Sequence, residues 1–458
     1  MVFALPAVLV TFTLVACQAE KKPAPLPKVL FLTHSAGFVH DVVKRPSPNE
    51  LAIAERALIE AARGRYDVRC TQDCSEITAE TLAGVQAVCF YTTGELPISD
   101  AGKSALMTWL QNGGAFVGLH CATDTFYQYQ PYVDMIGGLF NGHPWHQPVR
   151  VLVEANDHPA TAKLPNPIEI TDEIYQFKDW QRHPLEVLLA LDPSSVEIVK
   201  GARADGDYAV SWCKPWGRGR VFYTSLGHRE EVWANPVYRE HVLGGLEWAL
   251  HGPDYSAHAP KRATVLFEGR NLDAFATRDG AAAKWKLADG YAEVPNVDGG
   301  GDIVSKATFG DALYHVEFRA PDMGVGAKGQ ERGNSGVYLQ GRYELQVLDS
   351  FGVKPELGDC GALYGKKVPD VNACKPAGEW QSYDIRFIAP RFDANGAKTA
   401  NARMSVWQNG IPIHRDVELD GPTGGAIGEA EASTGPLLLQ DHGNPVRYRN
   451  VWVRPLEG

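Results

Sequence analysis

Apolar positions follow two different grammars along the chain. From Lys28 to about residue 251, short continuous apolar runs alternate with segments whose apolar residues recur every three or four positions. Val29-Leu30-Phe31-Leu32-Thr33 is the first run and ends at His34. Beyond it, Ser47, Pro48 and Glu50 have capping-box spacing, and Leu51, Ile53, Ala54, Ala57, Leu58 and Ala61 fall mostly on one helical face, so a helix is predicted to begin at Ser47. Strands over 85–91 and 115–120 enclose a predicted helix over 98–111. Further strands are expected near 149–154 and 220–225, then a helix over 236–250 capped by Asn235. Strands flanked by helices at this spacing predict a three-layer α/β domain over 28–251, its sheet mostly parallel and covered on both faces.

The grammar changes after residues 252–262, a stretch of Gly, Pro, Ser and His without periodicity that reads as a linker. Residues 314–319, 336–340, 343–348, 382–387, 404–407 and 451–454 are short alternating runs separated by Gly, Asn and Pro. They predict an all-β jelly-roll sandwich over 263–457. At the other end, an apolar run over 1–15 leads into Leu14-Val15-Ala16-Cys17. A small residue before that cysteine resembles the bacterial lipobox, in which Cys17 is lipidated and becomes the mature terminus; ordinary secretory cleavage nearby is the alternative. Residues 1–17 are then a signal and 18–27 a tether rich in Pro, Lys and Ala. The expectation is a periplasmic or cell-surface lipoprotein, held at the outer membrane only through its lipid anchor. No other run is long enough to span a bilayer.

Composition adds limits. A chain of 458 residues exceeds one ordinary core, and a net charge of −11 without a Lys/Arg stripe excludes a nucleic-acid partner. Without Cys17, seven cysteines remain, an odd number. Cys360 and Cys374, in a Gly/Pro-rich loop stretch, are the best disulfide candidates, and closing that loop would stabilise the fold by roughly 3 kcal/mol. Cys70 and Cys74 are a second pair, while Cys89 and Cys213 lie in apolar strands as buried thiols.

The densest chemistry lies in Asn334-Ser335-Gly336-Val337-Tyr338 and Tyr343-Glu344-Leu345-Gln346-Val347-Leu348-Asp349. Strand alternation puts Glu344 and Gln346 on one face, which Asp349 joins only if a bulge intervenes. Polar side chains aimed at one face suggest a concave sugar-binding surface; a solvated edge strand is the plain alternative. These runs, with Cys360-Gly361-Ala362-Leu363-Tyr364-Gly365, Lys375-Pro376-Ala377-Gly378-Glu379-Trp380, Leu439-Gln440-Asp441-His442-Gly443 and Val446-Arg447-Tyr448-Arg449-Asn450-Val451, resemble the 3-keto-disaccharide hydrolase family. The resemblance implies a concanavalin-like sandwich acting on a 3-keto-glycoside or disaccharide. A ketone at C3 acidifies the C2 proton, so one base, one donor to the ketone oxygen and one acid at the leaving group suffice for elimination. Glu344 and Asp349 could be base and acid, and Lys375, His442, Gln346 or Arg449 could stabilise the oxyanion. A divalent metal could do so instead, but no ligand spacing here names one. Asn334, Tyr338, Tyr364, Glu379, Trp380 and Gln440 complete the expected sugar-binding set.

The amino-terminal half gathers histidines just after apolar strands: His34 and His40, His120 with Asp124, His143 and His146, and His228. In open parallel sheets, loops after the strand carboxyl ends build the ligand crevice. Leu32-Thr33-His34, Gly113-Gly114-Ala115-Phe116-Val117-Gly118-Leu119-His120, Thr123-Asp124-Thr125, Gly142-His143, Asp172-Glu173-Ile174-Tyr175 and Ser225-Leu226-Gly227-His228 resemble the trehalose-utilisation family. That resemblance implies the fold of class I glutamine amidotransferases, with His120 rather than Cys121 in the nucleophile slot, which argues against amidotransferase activity. His34, His40, His120, Asp124, His143, Tyr175 and His228 are the expected second site. The leading expectation is cleavage of 3-keto-glycosides in the sandwich. Its rivals are a non-catalytic carbohydrate-binding lipoprotein, and catalysis in the histidine-rich domain with the sandwich as a binding module.

Overall fold

The computed structural model describes residues 25–252, 258–295 and 301–456, so the expected signal, Cys17, most of the tether and about half of the linker lie outside the described residues. Two layered units emerge, an α/β domain followed by an antiparallel β-sandwich. The first contains strands β1 (Lys28–Leu32), β2 (Asp67–Thr71), β3 (Ala87–Phe90), β4 (Ala115–Leu119), β5 (Trp145–Val153), β6 (Ile168–Ile174), β7 (Glu186–Leu191), β8 (Ala209–Trp216) and β9 (Gly219–Thr224). Its main helices are α1 (Ile53–Ala62), α2 (Asp100–Gln111) and α3 (Pro236–His251). Asn235 caps α3 by accepting from the Val237 amide at 2.8 Å, as its side chain predicts.

The strand order is β2-β1-β3-β4-β9-β8-β7-β5-β6. The five strands from β2 to β9 pair in parallel, whereas β9-β8, β8-β7, β7-β5 and β5-β6 are antiparallel. The expectation of a mostly parallel sheet therefore holds for one half only. A tight turn at Gly217 joins β8 to β9, and such a hairpin enforces antiparallel pairing. The start of α1 also differs from expectation. Ser47 to Glu50 is a turn, with the Glu50 amide donating to the Ser47 carbonyl at 3.1 Å. The helix begins at Ile53 because the buried Glu55 carboxylate accepts from the Ala52 amide at 2.8 Å and pairs with Arg45 at 2.8 Å.

In the sandwich, a five-stranded sheet runs β10 (Phe275–Thr277), β11 (Ile303–Phe309), β18 (Gly435–Leu439), β13 (Ser335–Leu339), β14 (Tyr343–Val347). The facing sheet is built on β19 (Arg447–Pro455), β12 (Ala312–Arg319), β15 (Gln381–Ile388), β16 (Ala402–Gln408) and β17 (Ile411–Leu419), with shorter strands at one edge. Alternation fills the space between them: Tyr314, Val316, Phe318, Tyr383, Ile385 and Phe387 face Val337, Leu339, Tyr343, Leu345 and Val347, all buried. The seven cysteines from Cys70 onward are free thiols, a correction to both expected disulfides. Cys360 and Cys374 do meet in the core, but each sulfur takes polar neighbours, the Tyr383 hydroxyl at 3.2 Å and the Leu348 carbonyl at 3.7 Å. Cys70 and Cys74 belong to cores on opposite sides of the α/β sheet.

The outer face of the β12-β15-β19 sheet docks on the α/β domain. His183 packs between Trp407 and Trp452 and approaches Asp384 at 3.7 Å. The Asn409-Gly410 hairpin tip meets the β8-β9 turn through the Gly217 amide and the Asn409 carbonyl at 3.0 Å. Gly410 has φ 77°, and a Cβ there would stand 2.1 Å from the Pro215 carbonyl oxygen, so this contact requires glycine. Arg415 pairs with Asp134 at 2.5 Å and Arg218 with Glu379 at 3.2 Å across the same junction.

Candidate functional site

The face of the five-stranded sheet turned away from the core carries one candidate site. Because Tyr343, Leu345 and Val347 enter the core, Glu344 and Gln346 point the other way, as alternation requires. Tyr338 lies directly across from Glu344, and Gly336 across from Gln346. A Cβ on Gly336 would stand 2.6 Å from the Glu344 Oε1, so this glycine leaves the space that the carboxylate occupies. The loop through Thr423 and Gly424 covers the pair: the Glu344 amide donates to Thr423 Oγ1 at 2.9 Å.

Glu344 is 3% exposed, and burial lifts its carboxyl to about 7, against the hydrogen bond from Tyr338 and with help from the nearby Asp302 charge. The Tyr338 hydroxyl accepts from Gln440 Nε2 at 3.1 Å and has the Gly424 carbonyl at 3.1 Å as a second acceptor for its single proton. Gln330 Oε1 accepts from Gln346 Nε2 at 2.8 Å and from Asn334 Nδ2 at 2.9 Å. Asn334 Oδ1 and Gln440 Oε1 are buried acceptors with no hydrogen-bond donor among the described residues. Tyr364 closes one side, its amide donating to the Glu344 carbonyl at 3.2 Å.

Of the sandwich residues expected to share one site, Glu344, Gln346, Tyr338, Asn334, Gln440 and Tyr364 come together. Lys375, Glu379, Trp380 and Arg449 do not, because the segment carrying the first three leads into β15 on the other sheet. There Lys375 lines a small cavity with Glu317 and Trp380, Arg449 stacks on Trp380 at 4.2 Å, and Glu379 faces the α/β domain. Asp349 follows β14 after a break in alternation, since Val347 and Leu348 both enter the core. Its carboxylate serves a turn, accepting from the Phe351 amide at 3.3 Å. His442 is exposed beside Asp441, whose amide donates to Asp302 at 2.8 Å. The carboxylate that acts electrostatically on Glu344 is thus Asp302, itself paired with Arg278 at 2.6 Å, and sequence reasoning passed over both.

A second cluster lies at the carboxyl ends of the parallel strands. His40 follows β1, His120 follows β4 and His228 follows β9, while Glu173 and Tyr175 reach in from β6 and the residues just after it. His120 takes φ 46°, a strained turn immediately after its strand. The three imidazole centroids lie 4.8 to 5.4 Å apart. Glu173 Oε2 stands 3.0 Å from His228 Nδ1 and 3.7 Å from His120 Nε2; its Oε1 stands 3.7 Å from His143 and 3.8 Å from His146. Burial holds His40 down near 4 and pushes His120 well below the usual imidazole range, so both rings are neutral. Buried Asp172 fixes the loop bearing His228, accepting from the Gly227 amide at 2.6 Å. Four candidate ligand atoms, one each from His40, His120, Glu173 and His228, lie within 4.8 Å of one another.

His40, His120, His143, Tyr175 and His228 therefore assemble, joined by His146 and by Glu173, which sequence reasoning left out of the site. His34 turns away, its Nδ1 2.8 Å from the Gln72 carbonyl, and Asp124 accepts from the Tyr127 hydroxyl at 2.5 Å. Cys121 is fully buried, with its thiol pushed well up by burial, which removes it as a nucleophile.

Residues 28–249 match the family described as trehalose utilisation, ThuA, and residues 262–454 match the 3-keto-alpha-glucoside-1,2-lyase-like domain. Among solved structures, a candidate glycosyl hydrolase from Parabacteroides distasonis is 37% identical, covering 43% of this chain and 85% of its own, with a TM-score of 0.40. A candidate ThuA-like protein from Bacteroides uniformis is 24% identical, covering 50% of this chain and 95% of its own, with a TM-score of 0.42. No curated protein matches the chain.

Proposed function

Because the chain joins a ThuA-like domain to a 3-keto-disaccharide hydrolase-like domain, the latter that of a carbohydrate-active enzyme, we propose that its sandwich cleaves 3-keto-glycosides by elimination across C1 and C2. The observation that carries this reading is Glu344, a buried carboxylate lifted to about 7 beside the Tyr338 hydroxyl, on a sheet face that also bears the buried, unpaired amide oxygens of Asn334 and Gln440. Glu344 takes the C2 proton, and the C–H electron pair becomes an enolate whose charge rests on the C3 oxygen. As the enolate collapses back to the ketone, the C1–O bond breaks, the departing aglycone oxygen takes the proton that Glu344 has just accepted, and a C1=C2 double bond remains. Water then adds, hydroxyl to C1 and hydrogen to C2, so the net reaction is hydrolysis. The Tyr338 hydroxyl, which accepts from the Gln440 amide, is a donor beside Glu344, and the buried Asn334 and Gln440 oxygens, without a donor among the described residues, suit sugar hydroxyls.

An extracytoplasmic, lipid-anchored location belongs to the same proposal and is supported by the apolar run ending at Cys17. Burial of the acid beneath a covering loop favours catalysis over a lectin, whose sugar face would be open. With Glu344 as base, kcat/KM for aglycone release from a 3-keto-glucoside rises about tenfold per pH unit below 7 and levels off above it. A profile flat from pH 5 to 9, or no release at any pH, would sink the reading.

A further inference from the structure

We propose that His40, His120, Glu173 and His228 hold one divalent first-row transition-metal ion in the amino-terminal domain. The site is independent of the sandwich reading, since all four residues lie within the α/β domain. Its donors come from four separate chain segments, yet their ligand atoms converge within 4.8 Å of one another. An incidental aromatic core would not need imidazoles at three of these positions.

Hydrogen bonding fixes the His120 donor atom. The His120 Nδ1 stands 2.6 Å from the Ser225 carbonyl, which can only accept, so Nδ1 carries the proton and Nε2 presents a lone pair. That lone pair faces the Glu173 Oε2 at 3.7 Å, and among the described residues its competing donor is the neutral Tyr175 hydroxyl at 2.9 Å. A backbone carbonyl behind a ligating imidazole is the support that orients metal-binding histidines. His40 is 4% exposed and packed among Phe38, Tyr91, His120 and His228, and its Nδ1 has no hydrogen-bond partner among the described residues. A buried nitrogen left without a partner is costly, and an ion held in the cluster would offset that cost if it bound this ring.

The donor set selects the cation. Three imidazole nitrogens and one carboxylate suit zinc, cobalt, manganese, iron or nickel, whereas calcium and magnesium need six or more oxygens, mostly from protein and water. His143 and His146 flank the outer Glu173 oxygen with side chains 45% and 38% exposed, so the cluster faces solvent on that side.

Tag-free full-length protein stripped with a chelator is titrated with cobalt(II) and, separately, zinc(II). One equivalent of cobalt should bind with a visible d–d absorption band, zinc should displace it, and either metal should raise the melting temperature. Glu173→Gln keeps the shape of the side chain and removes its charge, and should weaken binding by at least the roughly 10–100-fold that loss of a ligand's supporting partner already costs. His228→Gln, at a partly exposed position, should do the same if Glu173→Gln fails to fold. His34→Gln, outside the cluster, should bind as the parent does. Failure of the parent to bind either metal, or unchanged binding in Glu173→Gln, would leave only an ion pair between Glu173 and His228 and overturn the proposal.

Discussion

Glu344→Gln is expected to lower aglycone release from a 3-keto-glucoside by about 10²–10⁴-fold, the usual loss when a general base is removed. The substitution keeps the side chain's size, its acceptor oxygen for Tyr338 and the space above Gly336. Substrate binding should therefore survive, and the loss should fall on kcat. The pH limb near 7 should vanish with it. Stability provides an internal control with a definite sign. Burial raises the folded-state value of Glu344 above its unfolded one, so stability present at low pH is lost as pH rises through 7. Glutamine removes that loss, and the inactive variant should melt no lower than the parent at pH 8. Parental turnover in the variant would remove Glu344 as the base.

Asp384→Asn is expected to destabilise the chain by about 3–5 kcal/mol at pH 6, the range for breaking one partner of a buried ion pair. His315 is wholly buried where the sandwich docks on the α/β domain, with Nδ1 2.7 Å from Asp384 and Nε2 3.3 Å from Glu317. Burial opposes charge on the ring, but Asp384 and Glu317 outweigh it and lift His315 to about 9. A folded value above the unfolded 6.5 means that this stabilisation is complete below pH 6.5 and is lost as pH rises through about 9. Urea unfolding of parent and variant at pH 6 and 9.5 measures the difference, which should shrink at the higher pH. A difference independent of pH would contradict a charged His315.

The sequence disclosed most where chemistry is local. The Asn235 cap, the alternation of β14 and the change of grammar near residue 260 each depend on neighbours only a few positions away. The convergence of His40, His120 and His228 was legible because parallel strands place their carboxyl-end loops on one side. Glu173 was not, since in Ile168-Glu169-Ile170-Thr171-Asp172-Glu173-Ile174 it reads as the polar face of an edge strand. Only the antiparallel extension through β5 and β6 carries it over the histidines. Asp302 was equally hidden, a carboxylate after a glycine run and before β11, identified as a neighbour of Glu344 only once β18 separates β11 from β13. The reverse error has the same origin: Lys375, Trp380 and Arg449 belong to the family-like motifs, but motif membership does not say which of two sheets a segment joins.

The central claim, elimination initiated by Glu344 at C2, is tested most directly by aglycone release from a 3-keto-glucoside carrying deuterium at C2. The account predicts a primary isotope effect on release in the parent protein and a transient C1=C2 enone by NMR, both lost in Glu344→Gln. Release at equal rates from the deuterated and ordinary substrates, with no enone and with the C2 label fully retained in the product, would contradict it.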